Sequence, residues 1–124
     1  MGFATCLNCI DGRVQIPVIN WIKKNYGIDY VDMITDPGMD GILANENKDI
    51  NNILLKIEIS IEKHNSSILF LAGHYDCAGN PVDDKSHKKD IGIAVDRLKN
   101  LIPFVRIIGL WISNEWIVEK IIEK

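Results

Sequence analysis

Two short stretches decide how this chain is organised: Cys9-Ile10-Asp11-Gly12-Arg13 and Gly73-His74-Tyr75-Asp76-Cys77. Each follows an apolar run that predicts a buried strand, and each precedes a segment that can begin a helix. If the two strands are neighbours in a parallel sheet, Cys9, His74 and Cys77 meet at one edge of it. Thiolates and imidazoles are ligands of zinc, so the two stretches predict a metal site.

Strand-like and helix-like segments alternate along the whole chain. Strands are predicted over 3–8, 29–35, 67–72 and 104–112, and helices over 15–26, 39–63, 84–101 and 115–124. This alternation predicts a single α/β domain over residues 1–124, a three-layer fold with a four-stranded parallel sheet and helices on both faces. In the common strand order 2-1-3-4, the first and third strands flank a topological switch point, where such proteins bind ligands.

Composition limits the classes of function. Of the 124 residues, 47% are hydrophobic and 25% are charged, which is ordinary for a globular domain. The net charge of −3 gives no reason to expect nucleic acid. No apolar run approaches the about 20 residues that a membrane span needs, and no signal peptide is recognisable. Three cysteines, an odd number, argue against a disulfide framework, so we expect a reducing, cytoplasmic setting.

The three cysteines differ in their predicted surroundings. Cys6 lies inside the first predicted strand and is interpreted as a core residue. It forms a CxxC pair with Cys9, but a redox CxxC pair opens a helix, whereas Cys6 belongs to a strand. Cys9 and Cys77 instead follow strand ends. His74 precedes Cys77 by three residues, a spacing that lets one turn of chain present both side chains to one metal.

Taken together, the two stretches resemble the CxDxR and HxxC motifs of the β-carbonic anhydrases. Here these motifs are Cys9-x-Asp11-x-Arg13 and His74-x-x-Cys77, and the context Gly73-His74-Tyr75-Asp76-Cys77-Ala78-Gly79 is also similar to that family's. Asp36-Pro37-Gly38 falls where the family has a glycine loop after its second strand. The resemblance extends from the first predicted strand to the fourth.

The resemblance implies a zinc enzyme. Cys9, His74 and Cys77 would bind Zn²⁺, with water or Asp11 at the fourth position. The implied reaction is the reversible hydration of carbon dioxide to bicarbonate by zinc-bound hydroxide, because zinc lowers the pKa of its bound water to about 7. Asp11 and Arg13 would form the catalytic pair, in which Asp11 accepts a hydrogen bond from the hydroxide and orients it.

The sequence also departs from the family pattern. Eight residues precede Cys9, so the N-terminal helical arm and an upstream glutamine that contacts substrate are missing from this sequence. Gln15 lies on the wrong side of the motif to replace that glutamine, and Gly12 stands where the family has serine. Two alternatives therefore stay open. One is a zinc hydrolase of carbonyl sulfide or carbon disulfide, and the other is a non-catalytic zinc-binding domain closed by Asp11.

Several residues outside the two motifs carry further expectations. Trp111 and Trp116 lie in an apolar C-terminal segment that is interpreted as core or as a dimer contact. Because the family assembles as dimers, the resemblance implies a homodimer. His64 and His87 have polar sequence neighbours and are predicted to be solvated. Asp76 is predicted to order its loop by hydrogen bonds.

Overall fold

The computed structural model describes residues 2–124 as an α/β fold. The strands are β1 (Phe3–Asn8), β2 (Tyr30–Thr35), β3 (Ile68–His74), β4 (Arg106–Ile112) and β5 (Val118–Glu123). The helices are α1 (Gly12–Tyr26), α2 (Met39–Ala44), α3 (Asn51–His64) and α4 (Asp84–Leu101). The strands form one sheet in the order β2-β1-β3-β4-β5, parallel except for β5. The α/β fold class and the order 2-1-3-4 are confirmed, and β5 is an addition to the four predicted strands.

Helices cover both faces of this sheet. Along β1, Cys6 belongs to the cluster under α1, whereas Leu7 belongs to the cluster under α2, α3 and α4. Strand β3 is buried along its entire length, as its apolar sequence predicts. Since α1 and α4 lie on opposite faces, the crossovers after β1 and β3 leave in opposite directions, and the switch point lies between these strands. Cys6 is fully buried, in agreement with its interpretation as core.

Helix α1 begins at Gly12, three residues before the predicted start. The reason is Asp11, whose Oδ1 accepts a hydrogen bond from the backbone N–H of Arg13 at 2.9 Å and so caps the helix. Gly27, in the left-handed conformation with φ of 62°, ends the helix where the sequence predicts. The CxDxR motif is thereby part of the strand-to-helix turn itself.

The single helix predicted over 39–63 is wrong, because the chain breaks it into α2 and α3. The polar stretch between them forms turns in which Asn45 Oδ1 accepts from the N–H of Asn47 and Asp49 Oδ1 accepts from the N–H of Asn51. Such side-chain bonds compete with helical backbone bonds. Arg97 of α4 fixes the break by donating to the backbone carbonyls of Leu43, Asn45 and Lys48.

The helix predicted over 115–124 is also wrong, since this segment forms β5 along the edge of β4. Apolar pairs four residues apart, Ile117-Val118 and Ile121-Ile122, imitate a helical face. Their β-branched side chains favour a strand. The alternation is hidden by a register shift, because Ile122 lies opposite Gly109 while Lys120 lies opposite Leu110, which leaves Ile121 as an extra residue.

The prediction that His87 is solvated is wrong: its side chain is fully buried. Its lysine neighbours lie on other faces of α4, while His87 shares the buried face with Ile91. His87 Nδ1 donates to Asp40 Oδ2 at 2.6 Å. Asp40 also accepts from the N–H of Gly41 and from Asn80 Nδ2. A buried polar network thus joins α2, α4 and the loop after β3.

His64, the other histidine predicted to be solvated, lies at the surface with 42% of its side chain exposed. It is nevertheless engaged, since its Nδ1 is 2.7 Å from Asp32 Oδ2 and its ring stacks on Phe3. Within residues 2–124, no helix has the length and apolar character needed to cross a membrane.

The loops after β2 and β3 meet through their backbones. A Cβ atom added to Gly38 would lie 2.5 Å from the carbonyl carbon of Gly79, and one added to Gly79 would lie 2.4 Å from that of Pro37. Gly38 also has a φ of +65°. Only glycine combines this approach with this conformation, so the two loops are held together at the carboxyl edge of the sheet.

We expect Gly38→Ala to lower the free energy of unfolding by about 1–3 kcal/mol, because the new Cβ meets backbone and the left-handed conformation disfavours a side chain. The matched control is Gly92→Ala in α4, where an added Cβ meets nothing within 4 Å. That change should raise stability by about 0.5–1 kcal/mol. Urea unfolding of both variants measures the difference, and a Gly38→Ala protein as stable as wild type would contradict the close approach.

We expect the stability advantage of wild type over His87→Gln to shrink as the pH rises above about 6. Burial lowers the pKa of His87, but the hydrogen bond and charge of Asp40, with Asp90 and Asp84 nearby, outweigh burial, so the net pKa is raised. The folded protein then holds this proton more tightly than the unfolded chain. The contribution is complete below the unfolded pKa and is lost as pH passes the raised, folded pKa.

Denaturant unfolding of both proteins at acidic, neutral and alkaline pH tests this expectation, because contributions from other groups cancel in the comparison. An advantage that grows with pH would mean that His87 is buried as the neutral imidazole.

Candidate metal centre

Cys9, His74 and Cys77 lie together at the carboxyl edge of the sheet. Cys9 directly follows β1, His74 is the last residue of β3, and Cys77 lies in the loop after it. The three are 5%, 1% and 4% exposed. The Sγ atoms of the two cysteines are 3.9 Å apart, and one ligand atom from each of the three residues lies within 4.8 Å of the others. The sheet therefore brings together the three residues that the sequence predicts to be ligands.

The geometry of these atoms fits a tetrahedral zinc ion. Zn–S bonds of about 2.3 Å at a tetrahedral angle place two sulfurs about 3.8 Å apart, close to the separation seen here. His74 Nδ1 donates to the carbonyl of Tyr75 at 2.7 Å, so the lone pair of the imidazole lies on Nε2. That Nε2 atom is buried and has no hydrogen-bond partner within residues 2–124. A buried acceptor without a partner is the feature that a metal ion would satisfy.

The electrostatics of the thiols also fit a cation. Burial raises the pKa of the Cys77 thiol to about 11; backbone N–H groups of Asn80 and Gly79 oppose this rise, and the nearby Cys9 adds to it. Two neighbouring thiolates are thus unfavourable unless a positive charge compensates them. The N–H of Gly38 donates to Cys9 Sγ at 3.4 Å, so the backbone of the loop after β2 contacts this side chain directly. Cys6 differs, because burial alone raises its pKa to about 12.

Asp11 and Arg13 form an ion pair beside the three residues. Arg13 Nε donates to both carboxylate oxygens of Asp11, and Nη2 donates to Oδ2 at 2.7 Å. These hydrogen bonds lower the pKa of Asp11 to about 2. Asp11 Oδ2 lies 4.0 Å from His74 Nε2, so an ionised acceptor borders the candidate metal position.

Two other residues shape this edge: the sequence indicated the role of Asp76 but not the contacts of Gln15. The sequence predicted only that Gln15 could not replace the family's substrate glutamine. Its Nε2 donates to the carbonyls of Cys9 and Asp11 at 2.7 and 2.8 Å and holds the turn that contains the motif. Asp76 orders its loop through Arg13, which donates to its Oδ2 and its carbonyl oxygen. Gln15 is not part of a capping box, so no local sequence pattern indicated its contacts.

Comparison with known proteins agrees with this geometry. The sequence profile of the family described as "Putative carbonic anhydrase" matches residues 1–122. No curated protein matches the chain. Among solved structures, a β-carbonic anhydrase isoform from Trichomonas vaginalis is 19% identical with a TM-score of 0.66, and the match covers 95% of this chain and 81% of that one.

Two further structures are similar at lower identity. A tetrameric β-carbonic anhydrase from Sordaria macrospora is 12% identical with a TM-score of 0.69, covering all of this chain (100%) and 83% of that one. A carbonic anhydrase from Streptococcus mutans is 14% identical with a TM-score of 0.66, covering 95% of this chain and 81% of that one. These likenesses show the fold. With the profile match over residues 1–122, they establish that this chain belongs to the "Putative carbonic anhydrase" family and has the β-carbonic anhydrase fold.

Proposed function

We propose that this protein binds Zn²⁺ through Cys9, His74 and Cys77 and catalyses the reversible hydration of carbon dioxide to bicarbonate. The observation that carries the proposal is a buried Cys-His-Cys set bordered by a carboxylate that an arginine holds. Zinc in this site would supply a nucleophile at neutral pH by lowering the pKa of a coordinated water to about 7. This lyase reaction needs no further cofactor.

Asp11 has the properties of an orienting acceptor in this reaction. Its lowered pKa keeps it ionised at every pH at which the enzyme would work. An ionised carboxylate accepts hydrogen bonds and donates none, so it would hold a proton-bearing reactant in one orientation. Arg13 fixes the carboxylate with three hydrogen bonds of 2.7–3.2 Å and prevents it from rotating. Both residues are therefore proposed as catalytic.

The ion pair between Asp11 and Arg13 is also relevant to the alternative of a non-catalytic zinc-binding domain closed by Asp11. For Asp11 to become the fourth zinc ligand, it would have to exchange its bonds to Arg13 for the metal. Its present partners favour the open arrangement, in which the fourth position is left for water. Hydrolysis of carbonyl sulfide or carbon disulfide would use the same donor set, and an assay of each substrate separates these activities.

A homodimer remains part of the proposal. The C-terminal residues that suggested it are mostly used within the chain, since Trp111 is 3% exposed and Trp116 packs partly against the cluster under α1. Support now comes from isoleucines near the candidate site, because Ile10 and Ile16 are 57% and 69% exposed. The Sordaria macrospora relative is described as tetrameric.

We expect Cys77→Ser to lose the zinc that wild-type protein retains, because it removes one of three buried ligands. Cys6→Ser is the matched control: Cys6 is equally buried but lies outside the ligand cluster. Elemental analysis of protein purified without chelator should give about one zinc per chain for wild type and Cys6→Ser. Equal loss of zinc in both variants would make Cys6 a ligand, and a zinc-free wild-type protein would refute the metal site.

We expect carbon dioxide hydration by the zinc-loaded protein to rise from neutral to alkaline pH. With its pKa at about 2, Asp11 does not titrate in that range, so the rise would reflect loss of a proton from the water, which forms the hydroxide that competes with Asp11 for the fourth position. Arg13→Ala should lower kcat/KM by about 10- to 100-fold and move the rise to higher pH, since Asp11 is then free to bind the metal.

The matched control is Arg106→Ala, which breaks an arginine–carboxylate pair with Glu123 at the opposite end of β4. Stopped-flow hydration assays across pH compare the three proteins. Activity that is maximal at acid pH, or unchanged in Arg13→Ala, would contradict the role assigned to this pair.

A further inference from the structure

We propose that Trp116 is a positioning residue for Arg13 and, through Arg13, for Asp11 at the metal centre. The proposal rests on the function proposed above for the Asp11–Arg13 pair. It assigns a role in the site to the β4–β5 turn, a part of the chain that carries neither motif.

The guanidinium of Arg13 is held by hydrogen bonds to two aspartates and by a contact with an indole ring. Asp11 takes the edge formed by Nε and Nη2, and Asp76 accepts from Nη1 and Nη2. Arg13 Cζ also lies over the indole ring of Trp116, 4.6 Å from its centroid. This distance is that of a cation–π contact, and tryptophan is the strongest partner for one.

The contact with Trp116 matters because Arg13 is not buried. Its side chain is 46% exposed, so water competes for its hydrogen bonds and its long side chain could adopt other rotamers. Hydrogen bonds along the edges leave the guanidinium free to tilt out of their plane. The contact with the indole limits that freedom, because the cation–π attraction weakens when the guanidinium moves away from the ring. Trp116 therefore restricts a motion of the guanidinium that the hydrogen bonds to Asp11 and Asp76 leave free.

The turn that presents Trp116 is specifically shaped. Trp116 has a φ of 60°, in the left-handed region that bulky residues rarely occupy. Ser113 maintains the turn: its N–H donates to Ile117, its carbonyl accepts from the N–H of Trp116, and its Oγ accepts from the N–H of Glu115. Such conformations persist only where the surroundings impose them, and they concentrate at functional sites. The unfavourable backbone conformation places the indole against Arg13.

The competing explanation is that Trp116 only covers the apolar cluster under α1, against which it packs. The two explanations differ in one measurable way. If Trp116 acts through Arg13, its substitution should have no effect once Arg13 is gone. If it is only a packing residue, its substitution should have the same effect whether or not Arg13 is present.

The experiment combines Trp116→Leu, Trp116→Phe, Arg13→Ala and the double variant Arg13→Ala/Trp116→Leu. Each is loaded with Co²⁺ for its visible absorption spectrum and with Zn²⁺ for hydration kinetics. We expect Trp116→Leu to lower kcat/KM about two- to fivefold and to move the cobalt spectrum in the same direction as Arg13→Ala, by less. Trp116→Phe, which keeps an aromatic face, should restore most of both properties. The double variant should match Arg13→Ala.

Trp21→Leu is the control for loss of a tryptophan. Trp21 lies on α1, and its ring contacts Tyr26 and Phe70 rather than Arg13. It should leave the cobalt spectrum unchanged, and melting curves show which variants are folded. If Trp116→Leu fails to fold, the indole N–H resonance of Trp116, identified by its loss in Trp116→Phe, provides the test. It should shift in Arg13→Ala more than the other indole resonances.

The outcomes separate this inference from the proposed function. A wild-type protein that binds cobalt but does not hydrate carbon dioxide would refute the function, while the cobalt spectra would still decide the role of Trp116. The inference would be overturned if Trp116→Leu changed kcat/KM and the cobalt spectrum equally with and without Arg13. It would also be overturned if the indole resonance of Trp116 did not shift in Arg13→Ala. Both results would leave the proposed function in place.

Discussion

The parallel pairing of β1 with β3 is the constraint on which the rest of this structure depends. Thr5 lies opposite Leu69 and Leu7 opposite Leu71, so both strands end at the same edge. The residues that follow these ends, Cys9 and the loop with Cys77, are thereby neighbours although 68 residues separate them. Apolar side chains on both faces hold this register, because a shift of one residue would turn every side chain to the wrong face.

The strand ends alone would not hold three ligand atoms in place, and contacts behind them supply the remaining rigidity. The backbones of Gly38 and Gly79 touch, which presses the loop after β2 against the loop that contains Cys77. Asn80 then ties the second loop to Asp40 and Asp90. Since buried polar groups are costly unless paired, this network has few alternative arrangements. The proposed metal site would benefit directly, because ligands bind an ion best when their geometry is already in place.

Beside the candidate ligands, three charged side chains contact one another: Asp11 pairs with Arg13, and Arg13 pairs with Asp76. The arginine is thus shared between two carboxylates and also lies over the indole ring of Trp116. Because β5 turns back along β4, a residue near the C-terminus of the chain reaches the turn after β1. The turn before the fifth strand therefore connects the edge of the sheet to the candidate site at its carboxyl end.

Local sequence by itself determined much of the fold and the identity of the candidate ligands. Apolar runs predicted β1 and β3, helical spacing predicted α4, and two short motifs at strand ends predicted which side chains would meet if the two strands were neighbours. These features are local, since they depend on side-chain period and on where strands end. The break after Ala44 combines local turns at Asn45 and Asp49 with the bonds that distant Arg97 donates to the backbone. Tertiary structure alone decided the burial of His87 beside Asp40 and the pairing of the C-terminal segment with the open edge of β4, because both depend on partners that are distant in the chain.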